Sequence, residues 1–277
     1  MYWTTRMYLI VLSLMTLTFF VYYLHSISRK STNVWKPLAN VSFVPRIFHF
    51  ISVEPFLKDK DNEKISEDVT SIINEWKIKN EDFEVIVWTG NKIKNEFPIL
   101  ADLLKKIPVS SWISNIVRYK VSYEFGGLYL DTDVMAIRSV QPLLKQFHSG
   151  FVVCERPRTN NLLIDGHCNL IGTAVIASTQ HSTLMKRVFE KSVYLTKKYL
   201  PTIDTATFSY YKGKRISGPS LLTREFKESE IPVIGSITFF PCDWSDRSLC
   251  VYSRFLNSSR IIYGMHQWKK RWGIRNI

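Results

Sequence analysis

Two aspartates one residue apart, Asp131 and Asp133, follow a short apolar run in the segment YEFGGLYLDTDV, residues 123–134. Carboxylates at i and i+2 on a turning backbone can converge on one hard cation, and oxygen ligands suit magnesium or manganese better than zinc. A cation held in this way neutralises a diphosphate. We therefore predict that Asp131 and Asp133 are catalytic residues that bind Mn²⁺ or Mg²⁺.

The spacing of the two acids is not specific by itself. A second pair, Asp59 and Asp61, lies in the polar run LKDKDNEK, residues 57–64, where every neighbour favours a solvated loop. The elements around Asp131 and Asp133 must therefore decide what this pair does.

Those elements alternate between two patterns. Strand-like runs cover residues 44–51, 83–89 and 128–130, and helix-like runs cover residues 66–77, 95–106 and 110–124. Strands that alternate with helices predict an α/β fold with a mostly parallel sheet. Ligands of such sheets bind beyond the carboxyl ends of the strands, and Asp131 directly follows the strand 128–130.

The predicted helix 110–124 contributes two further candidates. Asn115 and Arg118 are three residues apart, so both are expected on one side of the helix and towards a ligand. Gly126 and Gly127 end the helix where a positive φ is needed.

Length and composition indicate one large folded domain rather than two. The 277 residues are 45% hydrophobic, which is enough for a sizeable core. The net charge of +13 comes without any helix-turn-helix, zinc-finger or RNA-recognition signature, so we predict no nucleic-acid partner. The excess of positive charge favours binding to an anionic membrane or to a nucleotide diphosphate, although a solvated basic face remains an alternative.

The first residues read as a membrane segment. Residues 7–24 contain no charge over eighteen positions, which is just long enough to cross a thin bilayer. A cleaved signal peptide is the alternative, with Ser26 and Ser28 as a cleavage site. The flanking positive charges do not decide the orientation.

Two features favour an oxidising lumen for the rest of the chain. Asn40 and Asn257 begin N-glycosylation triplets, and four cysteines could form two disulfides. Cys154–Cys168 with Cys242–Cys250 is the pairing that closes the shortest loops.

Five stretches, in chain order, resemble one family. The segment SNIVRYKVSYEFGGLYLDTDV (114–134) is similar to the DxD-containing sugar-binding region of the glycosyltransferases that include α1,4-galactosyltransferases, α1,4-N-acetylglucosaminyltransferases and yeast initiating mannosyltransferases. VPRIFHFI (44–51), SGPSLLT (217–223), FFPCDW (239–244) and GMHQW (264–268) resemble further stretches of that family.

The resemblance implies a GT-A fold and retaining transfer from a nucleotide sugar, usually with manganese. It makes Asp133 a metal ligand and Asp131 a contact of metal or donor, while His266 completes the metal or diphosphate contacts and Trp268 closes over the nucleotide. The donor-binding residues that it implies are His49, Phe50, Asn115, Arg118, Gly127, Tyr129, Asp131, Gly218, Pro219 and Trp268.

The chain departs from the family pattern at two places. Asn115 stands where relatives usually carry aspartate, which keeps the hydrogen bonding but removes the charge. Ile51 and Ser52 stand where relatives often carry an aromatic residue for the base. A catalytically inactive sugar-binding relative is therefore one alternative, and a metal-dependent nucleotide-sugar hydrolase is another.

The mechanism and topology follow from the same resemblance. We expect front-face attack on the donor; for a covalent intermediate, the candidate nucleophiles are Asp165, Asp204 and Asp243. A type II Golgi protein is expected, with its catalytic domain in the lumen and a glycolipid or glycan acceptor. Its segments would be a cytosolic tail (1–6), a membrane helix (7–24), a stem (25–43) and a glycosyltransferase domain (44–277).

Overall fold

The computed structural model describes residues 43–53, 65–155, 168–202, 210–227, 230–242 and 261–268, all within the unit Ser42–Ile277. The predicted membrane segment 7–24, the Asp59–Asp61 pair and both glycosylation triplets lie outside these ranges. Among the residues described, no helix combines the length and apolarity needed to cross a membrane.

Strands from both halves of the chain build the sheets. They are β1 (Ile47–Ser52), β2 (Glu84–Thr89), β3 (Gly127–Leu130), β4 (Val134–Ala136), β5 (Gly150–Cys154), β6 (Ile171–Ser178), β7 (Val233–Ile234) and β8 (Gly264–His266). The larger sheet has the order β2-β1-β3-β6-β5-β7, and β4 pairs with β8 in a small antiparallel sheet. Within the larger sheet β6 runs against its neighbours β3 and β5, while the other pairings are parallel. The predicted mostly parallel α/β sheet is therefore confirmed.

Helices cover both faces of the larger sheet. They are α1 (Glu67–Lys79), α2 (Gly90–Glu96), α3 (Pro98–Leu104), α4 (Ser110–Glu124), α5 (Gln141–Gln146), α6 (Thr183–Tyr199), α7 (Tyr210–Ile216) and α8 (Pro219–Glu225). The apolar stripe of α1, which includes Trp76, packs with Phe48 and Phe50 of β1 on one face. On the other face, Trp112 of α4 packs with α6 in a separate core cluster.

The helix predicted over 95–106 is confirmed only in part, because α3 covers Pro98–Leu104 whereas residues 95 and 96 belong to α2. α2 ends at Glu96, and Phe97 has φ −133° and ψ 61°, outside the helical region. Pro98 then opens α3 as its first residue. Proline lacks an amide hydrogen and disfavours helical geometry in the residue before it, so the chain breaks at Phe97 in addition to the predicted break at Ile107 and Pro108.

The two glycines after α4 have the backbone conformation that the sequence predicted. Gly126 has φ 66° and Gly127 has φ 87°. A Cβ atom on Gly127 would lie 2.6 Å from the carbonyl oxygen of Ile47. The close approach of β3 to β1 therefore requires glycine as much as the helix end does.

A disulfide joins the end of β5 to the segment before β6. Cys154 and Cys168 are bonded, with their Cα atoms 5.7 Å apart, as predicted. Cys242 is also disulfide-bonded, and Cys250, the partner predicted for it, lies outside the described residues.

Candidate metal centre

A tight turn and a long-range strand pair together create the site. β3 ends at Leu130, the amide of Asp131 donates to the carbonyl oxygen of Ala174 (2.8 Å), and the amide of Val134 donates to the carbonyl oxygen of Asp131 (3.0 Å). β4 begins at Val134 and pairs with β8 in a register that sets Val134 opposite His266. Residues more than 130 positions apart in sequence thus meet at the carboxyl edge of the sheet.

Three side chains converge there. Nε2 of His266 lies 3.1 Å from Oδ1 of Asp133 and 4.0 Å from Oδ2 of Asp131. One potential ligand atom from each of the three residues lies within 4.8 Å of the others. Asp133 and His266 are buried, whereas the Asp131 side chain is 25% exposed. Two carboxylates and an imidazole around one partly open point fit a divalent cation, which would offset their crowding.

Aromatic rings fix the orientation of His266. The Trp268 ring centroid lies 4.1 Å from that of His266, and Phe240 meets the imidazole edge-on at 5.6 Å. Nδ1 of His266 is buried without a hydrogen-bond partner among the residues described, so the imidazole is held by ring packing and by the contact of Nε2 with Asp133. Trp268 has a φ of 55°, a costly conformation for a non-glycine residue that is often found at functional sites.

Arg118 connects α4 to the acids. Its Nη2 lies 3.2 Å from Oδ1 of Asp131, and its Nη1 donates to the carbonyl oxygen of Thr173. The guanidinium also lies over the Tyr129 ring, 4.6 Å from the centroid, and the Tyr129 hydroxyl donates to the same Oδ1. Arg118 and Tyr129 thus hold one oxygen of Asp131 and leave Oδ2 towards His266.

The protonation states of this group follow from burial and charge. Burial would lower the pKa of Arg118, but Asp131, Tyr129, Tyr119 and Asp133 together raise it, so the guanidinium stays charged. Burial raises the pKa of Tyr129 well above its usual value, so its hydroxyl remains a donor. Burial would likewise lower the pKa of His266, but Asp133, Asp131 and Glu155 together raise it.

Asn115 does not share the partners of Arg118. Its Nδ2 donates to Oγ of Ser217 (3.2 Å), and Ser217 directly precedes Gly218 and Pro219 at the start of α8. The structure therefore brings Asn115, Gly218 and Pro219 together, and Asn115 holds the turn that leads into α8. Their part in donor binding stays a prediction.

His49 and Phe50 are buried in β1. Nδ1 of His49 accepts from the indole N–H of Trp88 (3.0 Å), and its Nε2 donates to the carbonyl oxygen of Gly126 (2.8 Å). Burial lowers the pKa of His49 to about 4, so the ring is neutral. Both ring nitrogens of His49 have hydrogen-bond partners, and the Phe50 ring lies in the core. A contact of these two residues with the donor would therefore have to use their backbone. Donor binding by His49 and Phe50 stays a prediction.

Sequence reasoning missed one acid near the site. Glu155 directly follows β5, is 9% exposed, and contributes to the raised pKa of His266. The sequence did contain a signal, because Glu155 directly follows the apolar run GFVVC in the same way as Asp131 directly follows GLYL. The nucleophile candidates Asp165, Asp204 and Asp243 lie outside the described residues.

The site thus combines a mixed α/β sheet, an Asp-x-Asp turn at the end of a central strand and a late histidine beside it. Residues 66–149, which contain both aspartates, match the family described as "Glycosyltransferase sugar-binding region containing DXD motif". Residues 66–149 are therefore similar to this sugar-binding region, and the predicted resemblance is confirmed.

The chain is also similar to individual glycosyltransferases. It is 31% identical over 67 residues to inositol phosphoceramide mannosyltransferase 3 of Schizosaccharomyces pombe; the match covers 23% of this chain and 19% of that protein. The chain thus matches about a fifth of the length of this relative.

Among solved structures, the PaToxG glycosyltransferase aligns with a TM-score of 0.45 and 14% identity, over 66% of this chain and 69% of that one. The UDP-bound glycosyltransferase domain from the YGT toxin aligns with a TM-score of 0.45 and 10% identity, over 70% and 80%. The galactosyltransferase LgtC, in complex with donor and acceptor sugar analogs, aligns with a TM-score of 0.43 and 12% identity, over 79% and 86%.

Proposed function

We propose that this protein is a retaining glycosyltransferase. It moves a hexose or N-acetylhexosamine from a nucleotide sugar, in the first place a UDP-sugar, to a glycolipid or glycan acceptor. The observation that carries the proposal is the convergence of Asp131, Asp133 and His266 at the carboxyl edge of the sheet, with both acids inside the matched region. The name of the mannosyltransferase relative supports a lipid acceptor and adds mannose to the candidate sugars.

The residues of the site have different roles in the proposed reaction. Asp131, Asp133 and His266 would hold Mn²⁺ or Mg²⁺, and the cation supplies charge for the departing diphosphate. Arg118 and Tyr129 fix the rotamer of Asp131, so that Oδ2 is aimed before any ligand arrives. The rings of Phe240 and Trp268 keep His266 in place. Such preorganised charge favours breaking the bond between the sugar and the phosphate.

We also propose that the protein is a type II Golgi membrane protein, anchored by residues 7–24, with its catalytic domain in the lumen. The Cys154–Cys168 disulfide supports an oxidising compartment, because cytosolic proteins rarely keep such bonds. Microscopy of the full chain with an epitope at its C-terminus, combined with protease protection, tests both the compartment and the orientation.

The activity is tested with a panel of nucleotide sugars and Mn²⁺, by measuring donor hydrolysis and transfer to glycolipid and glycan acceptors. Asp133→Asn should lower the metal-dependent rate at least about 100-fold, because it removes a charged ligand at the centre of the site. Asp102→Asn is the matched control, because that aspartate is exposed on α3 beside Lys105. Turnover unaffected by Asp133→Asn would refute the site, and hydrolysis without transfer to any acceptor would favour a hydrolase.

A further inference from the structure

Helix α6 has a basic and aromatic surface at its C-terminal end. Tyr194 is 57% exposed and Tyr199 is 40% exposed, so both rings reach the solvent. Lys197 and Lys198 lie exposed between them, and the ammonium of Lys198 is 5.4 Å from the centroid of the Tyr199 ring. Neither lysine pairs with a carboxylate among the residues that the structure describes. Their charge is therefore available to a partner.

A second pair of lysines lies close to the first. The indole N–H of Trp112, in the first turn of α4, donates to Oγ1 of Thr196 in the last turn of α6 (2.9 Å). Lys105 and Lys106 are exposed between the end of α3 and the start of α4, and Lys105 pairs with Asp102 (3.2 Å). We call this surface the basic end, and it consists of Lys105, Lys106, Tyr194, Lys197, Lys198 and Tyr199.

The direction of α4 relates the basic end to the metal centre. The end of α4 leads through the glycine pair into the start of β3, whereas Arg118, in the middle of α4, reaches Asp131 beyond the end of β3. The start of α4 therefore points to the edge of the sheet that carries the metal centre. Trp112 lies six residues before Arg118, which is about 9 Å along the helix at 1.5 Å per residue.

Helix α6 returns to the same edge. The amide of His181, which precedes α6, donates to the carbonyl oxygen of Tyr123 near the end of α4 (2.7 Å). Since Trp112 joins the start of α4 to the end of α6, the two helices are antiparallel. The basic end and the metal centre thus lie at one edge of the sheet, and a surface that contacts the former brings the latter close to it.

The groups of the basic end suit the surface of a lipid bilayer. Tyrosine combines an apolar ring with a polar hydroxyl and is enriched at the boundary between lipid and water. Lysine places its ammonium at the headgroups while its stem covers apolar surface, and each lysine near an anionic bilayer strengthens binding. Because the chain carries no nucleic-acid-binding signature, the anionic partner that these groups favour is a membrane.

We propose that the basic end docks on a membrane that contains anionic lipids. The metal centre then lies at the edge of the sheet nearest the bilayer, which favours an acceptor lipid held in that bilayer over a soluble glycan. This choice of acceptor rests on the proposed function, whereas the docking itself does not.

The test follows docking with a fluorophore, nitrobenzoxadiazole, whose emission rises in an apolar environment. The cysteines among the described residues are disulfide-bonded, so the label is attached to Thr202→Cys, an exposed position just after the basic end. The full chain is reconstituted with vesicles of phosphatidylcholine, with or without about one third phosphatidylinositol. Emission should rise about twofold only with phosphatidylinositol. The same label on Ile78→Cys, 70% exposed on α1 at the other face of the sheet, should not respond.

A charge variant then tests the lysines. Each lysine near an anionic surface contributes about fivefold in binding, so replacing Lys197 and Lys198 together by glutamine should weaken docking about 25-fold and abolish the rise in emission. The matched control replaces Lys77 and Lys79 by glutamine, in the last turn of α1, and should keep the rise. With an active enzyme, the first variant should also slow transfer to a lipid acceptor in these vesicles and leave transfer to a water-soluble acceptor unchanged.

Three results would overturn the inference. The first is no rise at Thr202→Cys with phosphatidylinositol, which would make the basic end a solvated surface. The second is an equal rise at Ile78→Cys, which would mean adsorption without a preferred face, and the third is a rise that survives the replacement of Lys197 and Lys198. These measurements need no turnover, so a chain that docks but is inactive with every donor would overturn the proposed function alone.

Discussion

Asp131 takes part both in a buried ion pair and in the proposed metal site. One of its oxygens accepts from Tyr129 and pairs with Arg118, and the other lies 4.0 Å from Nε2 of His266. A carboxylate restrained on one side presents its remaining oxygen at a fixed point. The sequence predicted the two acids, but it could not predict this division, because Arg118 and Tyr129 reach Asp131 from different elements.

Replacing Arg118 should destabilise the fold. The Arg118 side chain is only 5% exposed, and Arg118→Ala would leave Asp131 and the Thr173 carbonyl without it. Breaking a buried ion pair on one side costs about 3 kcal/mol or more. Urea denaturation measures this loss against Arg224→Ala, whose side chain is 48% exposed and should change stability by less than about 0.5 kcal/mol. Equal effects of the two variants would contradict the role given to Arg118.

His49 should make stability depend on pH. Its pKa is lowered to about 4 by burial, below its usual value of 6.5, so the unfolded chain binds a proton at a higher pH than the folded chain. Its contribution is complete above about pH 6.5 and is lost as the pH falls towards 4, by about 3 kcal/mol in total. Denaturation curves across this range should show a shallower pH dependence for His49→Gln. An unchanged slope in His49→Gln would contradict this account.

At the scale of elements, the sequence predicted those helices and strands whose ends are determined by residues next to them in the chain. Helix α4 and strand β3 were predicted because the apolar stripe and the glycine pair are adjacent in sequence. The end of α3 before Ile107 and Pro108 was predicted, whereas the break at Phe97, just before Pro98, was missed. Strand β8 has three residues, and its pairing with β4 was not predictable, because only the fold brings these segments together.

Gly127 should tolerate no side chain. In Gly127→Ala, the new Cβ would lie 2.6 Å from the Ile47 carbonyl oxygen at a φ of 87°, so β1 and β3 would have to separate. Strain and overlap together predict a loss of about 2 to 4 kcal/mol in unfolding free energy. Gly235→Ala is the matched control, since no atom lies within 4 Å of its added Cβ and its φ is −62°. Chemical denaturation of both variants measures the loss in unfolding free energy. A loss below about 1 kcal/mol for Gly127→Ala would refute the close approach of β3 to β1.

At the scale of the whole molecule, the site joins two distant parts of the chain. Asp131 and Asp133 come from the matched region 66–149, whereas His266 comes from β8. The amide of Gln267 donates to the carbonyl oxygen of Asp133 (2.9 Å), so the backbone already holds the two parts together. The sequence predicted the members of the centre through their motifs, and the contact between β4 and β8 explains how they meet. Glu155 was missed although it follows β5 in the same way as Asp131 follows β3, because no motif marks it.

A cation that joins these two parts should stabilise the whole fold. A ligand that binds only the folded state at about 100 times its Kd adds about 2.7 kcal/mol, which raises Tm by roughly 5 to 10 °C for a domain of this size. We therefore expect Mn²⁺ with UDP to raise the Tm of the wild type by about this amount in differential scanning calorimetry. The shift should shrink to less than about 2 °C in His266→Ala, which removes the ligand from β8, and persist in Asp102→Asn. A full shift in His266→Ala would show that the cation is held without the C-terminal part, and the centre would then be assembled from Asp131 and Asp133 alone.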